Sequence, residues 1–352
     1  MRISWFASSL VSSYWNGAAT YYRGLVRALD ARGHRITFYE PDAYERQAHR
    51  DLADPEWAEV VVYAPAEWEA ALERARGAEV VVKASGVGVG DAELEAGVLE
   101  LGAGLTVFWD VDAPATLARL EGDPDDPLRE LVPRYDLVLT YGGGDPVVER
   151  YQALGARECV PVYNALDPDT HHPVAPEPRY AVDLAFLGNR LPDREERVEE
   201  FLLRAAELAP RRSFLLGGAG WDDRPLPANV RLLGHVPTGE HNTFNSTPLA
   251  VLNVSRESMA ANGFSPATRL FEAAGAGACL ISDAWEGIEL FLEPGDEVLV
   301  ARDGAEVAAL LEEVTPARAR EIGQRARRRL LAEHTYARRA EQVEALLQRV
   351  LA

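Results

Sequence analysis

Residues 262–283, NGFSPATRLFEAAGAGACLISD, carry the most chemically suggestive arrangement in the chain. Ser265 followed by Pro266 reads as a helix N-cap with proline at the first helical position, so a helix is predicted over Pro266–Ala276. Gly263 and Phe264 lead into it, and the amides of such a helix start suit a phosphate. Glu272 falls two turns further on, where a carboxylate can accept two hydrogen bonds from the cis-diol of a ribose. The small residues Ala273 to Gly277 allow close packing on the next strand. The competing reading makes Glu272 a surface glutamate paired with Arg269 three residues earlier, worth roughly a few tenths of a kcal/mol.

Three other places merit the same weighing. Gly188 and Asn189 follow a predicted strand, the usual position of an anion-binding loop, with Arg190 and Arg194 just after them. Asp193, Glu195 and Glu196 surround these arginines, so a surface charge cluster at a helix start is the alternative. Asp110 and Asp112 sit at the carboxyl end of a predicted strand, where either could remove a proton from a bound hydroxyl; the alternative is capping of a helix that begins at Pro114. Gly142 to Pro146 lacks the Lys-Ser/Thr of a P-loop and reads as a turn. Asp125-Asp126 and Asp222-Asp223 read as turn residues, so no metal is expected. Cys159 and Cys279 lie far apart in apolar runs and suggest neither a disulfide nor a zinc site.

The elements that must position these residues alternate along the whole chain. Short apolar strands and longer helical segments succeed one another, the signature of parallel sheets covered on both faces. In the first half, strands are predicted at Ile3–Ala7, Arg35–Tyr39, Val60–Tyr63, Val80–Lys83, Leu105–Trp109, Leu137–Thr140 and Cys159–Tyr163. Tyr22, Leu25, Val26 and Leu29 mark the first helix, closed by Gly33. The run NALDPDTHHPVAPEPRY, with prolines at 168, 173, 176 and 178, reads as a linker. Beyond it come strands Leu184–Leu187, Ser213–Leu216, Val230–Leu233, Leu249–Val254, Cys279–Ser282 and Glu297–Val300, with a helix over Arg194–Ala206. From Pro316 the chain is helical, broken near His334. The domains expected are 1–166, a linker at 167–180, 181–330, and a final helix at 331–352.

The length of 352 residues suits two domains. Asp plus Glu number 56 against 36 Lys plus Arg, a net charge of −20 that repels phosphate backbones and anionic lipid, so nucleic acid is not an expected partner. Lys83 is the only lysine. Eight arginines between Arg318 and Arg339 read as a solvated helix face. No window is apolar enough for a signal peptide or a transmembrane helix, and a cytoplasmic location is expected. Oligomeric state is not legible.

The run RLFEAAGAGACLISDAWEGIELFLEPGDEVLVARDGAEVAALL resembles the nucleotide-sugar-binding half of GT-B glycosyltransferases, and its R-x-F-E form is most similar to the CgeB-like group. FLGNRLPDREERVEEF resembles the first strand and diphosphate loop of that domain, NVRLLGHVP its base-contacting loop, VYNALDPDTHHPV its linker, and FWDVDAP the W-x-x-D-x-P segment of the N-terminal half. The resemblance implies two Rossmann-like domains facing a central cleft and a last helix packed back on the first domain. It implies transfer of a sugar from a nucleotide-diphosphate donor to an acceptor it does not identify; the acidic surface argues against a lipid-linked one and leaves small molecules, peptides and soluble glycans open, and no metal or other cofactor is expected. Glu272 would bind the ribose, and Arg190 and Arg194 the diphosphate. Arg269, Gly263, Phe264, Ser265, His235 and Val236 complete the implied donor set. Asp112, ahead of Asp110, matches the family aspartate that would act as base. Asn16 and Gly17 resemble the loop that reaches toward acceptor and sugar, the alternative being a plain turn. For His171, His172 and His235, solvation or packing is the expectation. Many retaining relatives carry a glutamate eight residues before the one equivalent to Glu272; here that position is Phe264, so stereochemistry is not carried over. A nucleotide-sugar isomerase of the same fold, or a non-catalytic nucleotide-sugar-binding or coat-assembly protein, are the alternatives.

Overall fold

The computed structural model describes residues 1–14 and 16–352. The described strands form two wholly parallel sheets. Seven strands make the first: β1 (Arg2–Phe6), β2 (Arg35–Pro41), β3 (Glu59–Tyr63), β4 (Val80–Ala84), β5 (Leu105–Asp110), β6 (Leu137–Thr140) and β7 (Cys159–Pro161), in the order β3-β2-β1-β4-β5-β6-β7. Six make the second: β8 (Leu184–Leu187), β9 (Phe214–Gly217), β10 (Val230–Gly234), β11 (Ala250–Asn253), β12 (Leu280–Asp283) and β13 (Leu299–Ala301), in the order β10-β9-β8-β11-β12-β13. Both are α/β layers of the doubly wound kind. In each, the order turns back beside the first strand, the place where such sheets open a crevice at their carboxyl ends.

The chain divides into two compact units, Met1–Tyr163 with Tyr336–Ala352, and Asn164–Thr335. In the first, an aromatic layer lies under the sheet: Trp5 and Trp109 rings are 4.7 Å apart, and Trp109 Nε1 donates to Tyr21 Oη at 3.1 Å. On the other face Phe6 stacks on Tyr39 at 4.5 Å. The last helix, Tyr336–Leu351, packs its buried Ala340, Val343 and Leu347 against the helix Ala19–Asp30. Gly24 permits the approach, because a Cβ there would lie 2.2 Å from the Tyr336 ring.

In the second unit, Phe186, Leu216, Leu252 and Ile281 from the sheet meet Leu202, Leu311 and Ile322 from the helices. The helix predicted over Arg194–Ala206 is present as Glu195–Val198 and Ala205–Leu208, joined by a π-turn at Glu199–Arg204. Glu200, within that turn, accepts from the Gly304 amide at 3.0 Å and so satisfies the start of a helix distant in sequence, Gly304–Glu313. The proline-rich run is held fast on this unit. Leu166 N donates to His334 O at 2.8 Å, and Asn242, Ser246 and Thr247 side chains bond the backbone at Thr170, His172, Val174 and Glu177. Those side chains satisfy backbone groups that a proline-rich strip cannot pair in a sheet. The contact boundary therefore falls at 163/164 and 335/336, earlier and later than the 166/167 and 330/331 read from composition.

Candidate functional site

In the second unit the helix carrying Glu272 runs over Thr268–Gly275, with Ala267 at the N-cap, no side-chain cap and no acidic residue in its first turn. This corrects the reading of Ser265 as N-cap. Ser265 precedes a proline, which disfavours helical backbone there, and the chain stays extended to Ala267 at ψ 149°. Ser265 is buried, and the positive end of the helix dipole is left without a local carboxylate.

The loop ahead of it is strained. Gly263 has φ +66° and Phe264 φ +46°, a left-handed conformation uncommon for a bulky residue. It is locked by the Phe264 amide, which donates to Glu286 O at 2.6 Å, and by the Phe264 ring, which occupies the space a side chain at Gly287 would fill. Such strain costs about 1–3 kcal/mol and collects at ligand clamps.

One turn before Glu272, Arg269 lies largely buried with its guanidinium 5.0 Å over the Phe186 ring. Burial, then the neighbouring charge of Arg194, push its pKa down to about 10. Arg194 is itself depressed, by burial and by Arg256, and its buried Nε has no hydrogen-bond partner. Its Nη1 passes over Gly188, where a Cβ would come within 3.0 Å. Besides burial, Arg194 thus lowers the pKa of Arg269, while Arg256 lowers that of Arg194, and neither Arg194 nor Arg269 makes an ion pair among the described residues.

Arg190 does not join them. Glu195 holds it at 2.6 Å and Asp223 at 2.7 Å, and these carboxylates raise its pKa. Arg190 is thus held at both ends and braces the loops after β8 and β9, whereas Arg194 and Arg269, also in the expected donor set, have no such carboxylate. Glu272 is half-buried and has His171 Nε2 4.0 Å from its carboxylate. His241 Nε2 donates to Val236 O at 3.2 Å, and burial lowers its pKa against the pull of Glu272. His235 is exposed, whereas Val236 is buried against Leu215 and Phe244. His171 and His241 were not legible as site residues, because one lies in the proline-rich run and the other on a short polar helix.

In the first unit, Asp110 is fully buried. Its carboxylate accepts from Ser85 Oγ at 2.7 Å, Thr116 Oγ1 at 2.9 Å, Asp112 N at 3.0 Å and Tyr151 Oη at 2.5 Å. Four donors leave no room for a reacting hydroxyl, so Asp110 ties strand ends together and is removed as a candidate base. Asp112 is exposed at the start of the helix Ala113–Gly122 and makes no side-chain capping bond there. Asn16 is buried: its amide donates to Ser9 O at 2.8 Å and Ser12 O at 3.1 Å and accepts from Ser8 Oγ at 3.0 Å. It shapes its loop from within, which corrects its reading as a group presented to ligand; Gly17 is exposed.

Among the described residues no group of three or more His, Cys, Asp or Glu is placed to hold a metal, and no helix is long and apolar enough to cross a membrane. The family model described as glycosyl transferase-like matches residues 194–345. No curated protein is a significant match by sequence. Among solved structures, sucrose-phosphate synthase from Thermosynechococcus elongatus superposes with a TM-score of 0.74 at 13% identity, covering 99% of each chain. Anabaena HepE in complex with UDP and glucose gives 0.66 at 12% identity over 99% of this chain and 100% of that one. AviGT4, a glycosyltransferase involved in avilamycin A biosynthesis, gives 0.65 at 17% identity over 100% and 98%. The chain therefore has the fold of the GT-B glycosyltransferases, two Rossmann-like parallel-sheet units, and its second half is glycosyl transferase-like in sequence.

Proposed function

We propose that the protein is a glycosyltransferase that takes a sugar from a nucleotide-diphosphate donor held by the second unit, in the CgeB-like branch suggested by its R-L-F-E segment. The observation that carries this is the pair Arg194 and Arg269, neighbouring guanidinium groups without an ion pair among the described residues, the second of them one helical turn from Glu272 in a helix whose start has no side-chain cap. A folded protein does not bring two cations together in a largely buried place without an anion to receive.

A diphosphate fits chemically. As the bond from the sugar's anomeric carbon to the diphosphate oxygen breaks, that oxygen gains negative charge while a new bond forms to the acceptor oxygen. Fixed guanidinium groups and helix amides stabilise the leaving group without reorganising, and can take the place of a divalent cation. Transfer is therefore proposed to be metal-independent. Glu272 would receive the ribose hydroxyls, with His171 nearby to fix the carboxylate. Asp112 is the proposed base for the acceptor hydroxyl. UDP is the first nucleotide to try, since HepE is described in complex with it.

The test is a thermal-shift screen of UDP, GDP, dTDP and CMP with their sugar conjugates, in EDTA, on wild type and Glu272→Ala. A ligand at a hundred times its dissociation constant adds about 2.7 kcal/mol. One nucleotide should shift wild type and not the variant. If none does, or if a shift appears only when a divalent cation is restored, the reading fails in whole or in its metal-free part.

A further inference from the structure

The first unit contains a second built site. The strand order of its parallel sheet reverses between β1 and β4, so the loops after these strands diverge and open a crevice at the carboxyl ends. Three loops wall it, and they are tied together. Tyr44 Oη donates to Gly88 O at 2.6 Å, Arg46 Nη1 to Ser8 O at 3.3 Å, and Ser12 Oγ to His49 O at 2.8 Å. Behind them Glu40, fully buried, accepts from Ser9 Oγ at 3.0 Å, Leu10 N at 2.6 Å and Gln47 Nε2 at 2.6 Å, which fixes the β1 loop.

The cavity these loops leave measures about 440 Å³ and is lined by Tyr14, Tyr44, Glu45, Arg46 and Gly88. Its chemistry is mixed in a particular way. Tyr44 is 52% exposed and Tyr14 36%, an unusual display for two aromatic rings at one place. The Tyr14 ring is steadied by stacking on the His49 imidazole, 4.0 Å away and 9° from parallel. Arg46, in contrast, is only 6% exposed, its Nε has no hydrogen-bond partner, and it makes no ion pair among the described residues. Its guanidinium lies 5.0 Å over the Tyr44 ring. Tyr44 and Glu45 both have φ +57°, successive left-handed residues that a packed turn would avoid. That strain sets one ring outward and the next cation inward at the same crevice.

Resting on the glycosyl-transfer reading above, we propose that this crevice is the acceptor site and that the acceptor is an anionic saccharide, its pyranose face on Tyr44 and its carboxylate or phosphate on Arg46. Exposed tyrosine rings match the C–H face of a sugar, while Glu45 on the rim accepts hydroxyls. An aromatic acceptor would call for closed apolar walls, which a lining with one cation and one carboxylate does not offer. The buried guanidinium selects for charge, because it meets an anion at a smaller desolvation cost than a solvated arginine would.

The full-length protein, without nucleotide, is titrated calorimetrically with D-glucuronate, D-glucose 6-phosphate and D-glucose. At least one of the two anionic sugars should bind at least tenfold more tightly than glucose, and which one tells carboxylate from phosphate. Tyr44→Ala should weaken that sugar at least tenfold, and Arg46→Gln should bring it level with glucose, both read on variants whose melting temperature stays near wild type. Equal binding of all three sugars, no binding of any, or an undiminished affinity in Tyr44→Ala overturns the proposal. UDP is titrated into the same wild-type sample. UDP binding without sugar binding refutes the acceptor site alone. Sugar binding without any nucleotide binding leaves an anionic-saccharide site but removes its role as acceptor site, together with the transferase reading.

Discussion

Arg269→Gln separates a functional arginine from a structural one by moving two quantities in opposite directions. The charged guanidinium sits in surroundings that lower its pKa from 12.5 to about 10. At about 1.36 kcal/mol per unit, this amounts to about 3 kcal/mol against the charged form at every pH below about 10. Its stacking on Phe186 returns about 0.5–2 kcal/mol. Replacing it with glutamine keeps most of the stem and removes the charge, so the ligand-free protein should gain about 1–2 kcal/mol, or about 2–8 °C in melting temperature for a unit of this size. Nucleotide binding should move the other way. Loss of one charge-assisted contact to a diphosphate removes about 1.5–3 kcal/mol, a 10- to 150-fold rise in Kd for UDP or whichever nucleotide binds. Thermal unfolding with and without nucleotide, paired with calorimetric titration, reads both. A variant that melts several degrees lower and binds nucleotide as before would show that Arg269 holds the fold and that no diphosphate lies against it.

Three further substitutions probe the rest. Glu95, buried, has its pKa raised to about 7 by desolvation, from an ordinary 4.5; the protonated form is the one the fold favours, so its stabilising contribution is complete below about pH 4.5 and is lost as pH rises to about 7. Glu95→Gln should therefore gain on wild type by about 2 kcal/mol more at pH 8 than at pH 5 in urea unfolding, and an equal difference at both would refute the assignment. Asp112→Asn should lower turnover by about 10²- to 10⁴-fold with nucleotide Kd unchanged, and full activity would remove it as the base. Gly24→Ala drives a methyl into the Tyr336 ring and should cost about 1–3 kcal/mol by displacing the last helix, measured as a fall in melting temperature; an unaffected protein would mean that this helix does not depend on the close approach.

The strands were legible nearly to the residue because they are short apolar runs, the central ones buried on both faces, a pattern that survives in sequence without help from partners. The helix that carries Glu272 was legible from its period and the small residues behind it, though it starts at Thr268 and not at Pro266. What sequence could not supply was pairing at a distance. Arg190 and Arg194 are four residues apart with similar neighbours, and only the fold shows that Asp223, brought in by the loop after β9, engages the first and leaves the second alone. Asp110 and Asp112 share one strand end, and only a family resemblance favoured Asp112 on paper; the fold separates them by converging Ser85, Thr116 and Tyr151 on Asp110. Ser265 misled because a serine before proline carries the signature of an N-cap, while the actual helix start three residues later has no capping side chain to announce it.

The charge balance sharpens the case for both sites. The chain has 56 carboxylates for 36 basic side chains, so a guanidinium that finds no acidic partner is running against the odds of its own composition. Most arginines conform, and even the arginine-rich helix Pro316–Glu333 sets Arg318, Arg325 and Arg329 against Glu321, Asp296 and Glu297. Arg46, Arg194 and Arg269 are depressed by burial and yet form no ion pair among the described residues. Two of them also lie against unusual backbone: Arg46 follows two left-handed residues, and Arg194 crosses Gly188, where a Cβ would crowd it. In a protein with carboxylates to spare, leaving these three without an acidic partner costs stability that the ring contacts of Arg46 and Arg269 offset only in part, and an incoming anion is the partner that would restore the balance. Addition of a saturating nucleotide should then raise the melting temperature more at low ionic strength than at high, since the missing charge is supplied by the ligand and screened by salt. A shift that is indifferent to salt would mean that the guanidinium groups are not what the ligand meets.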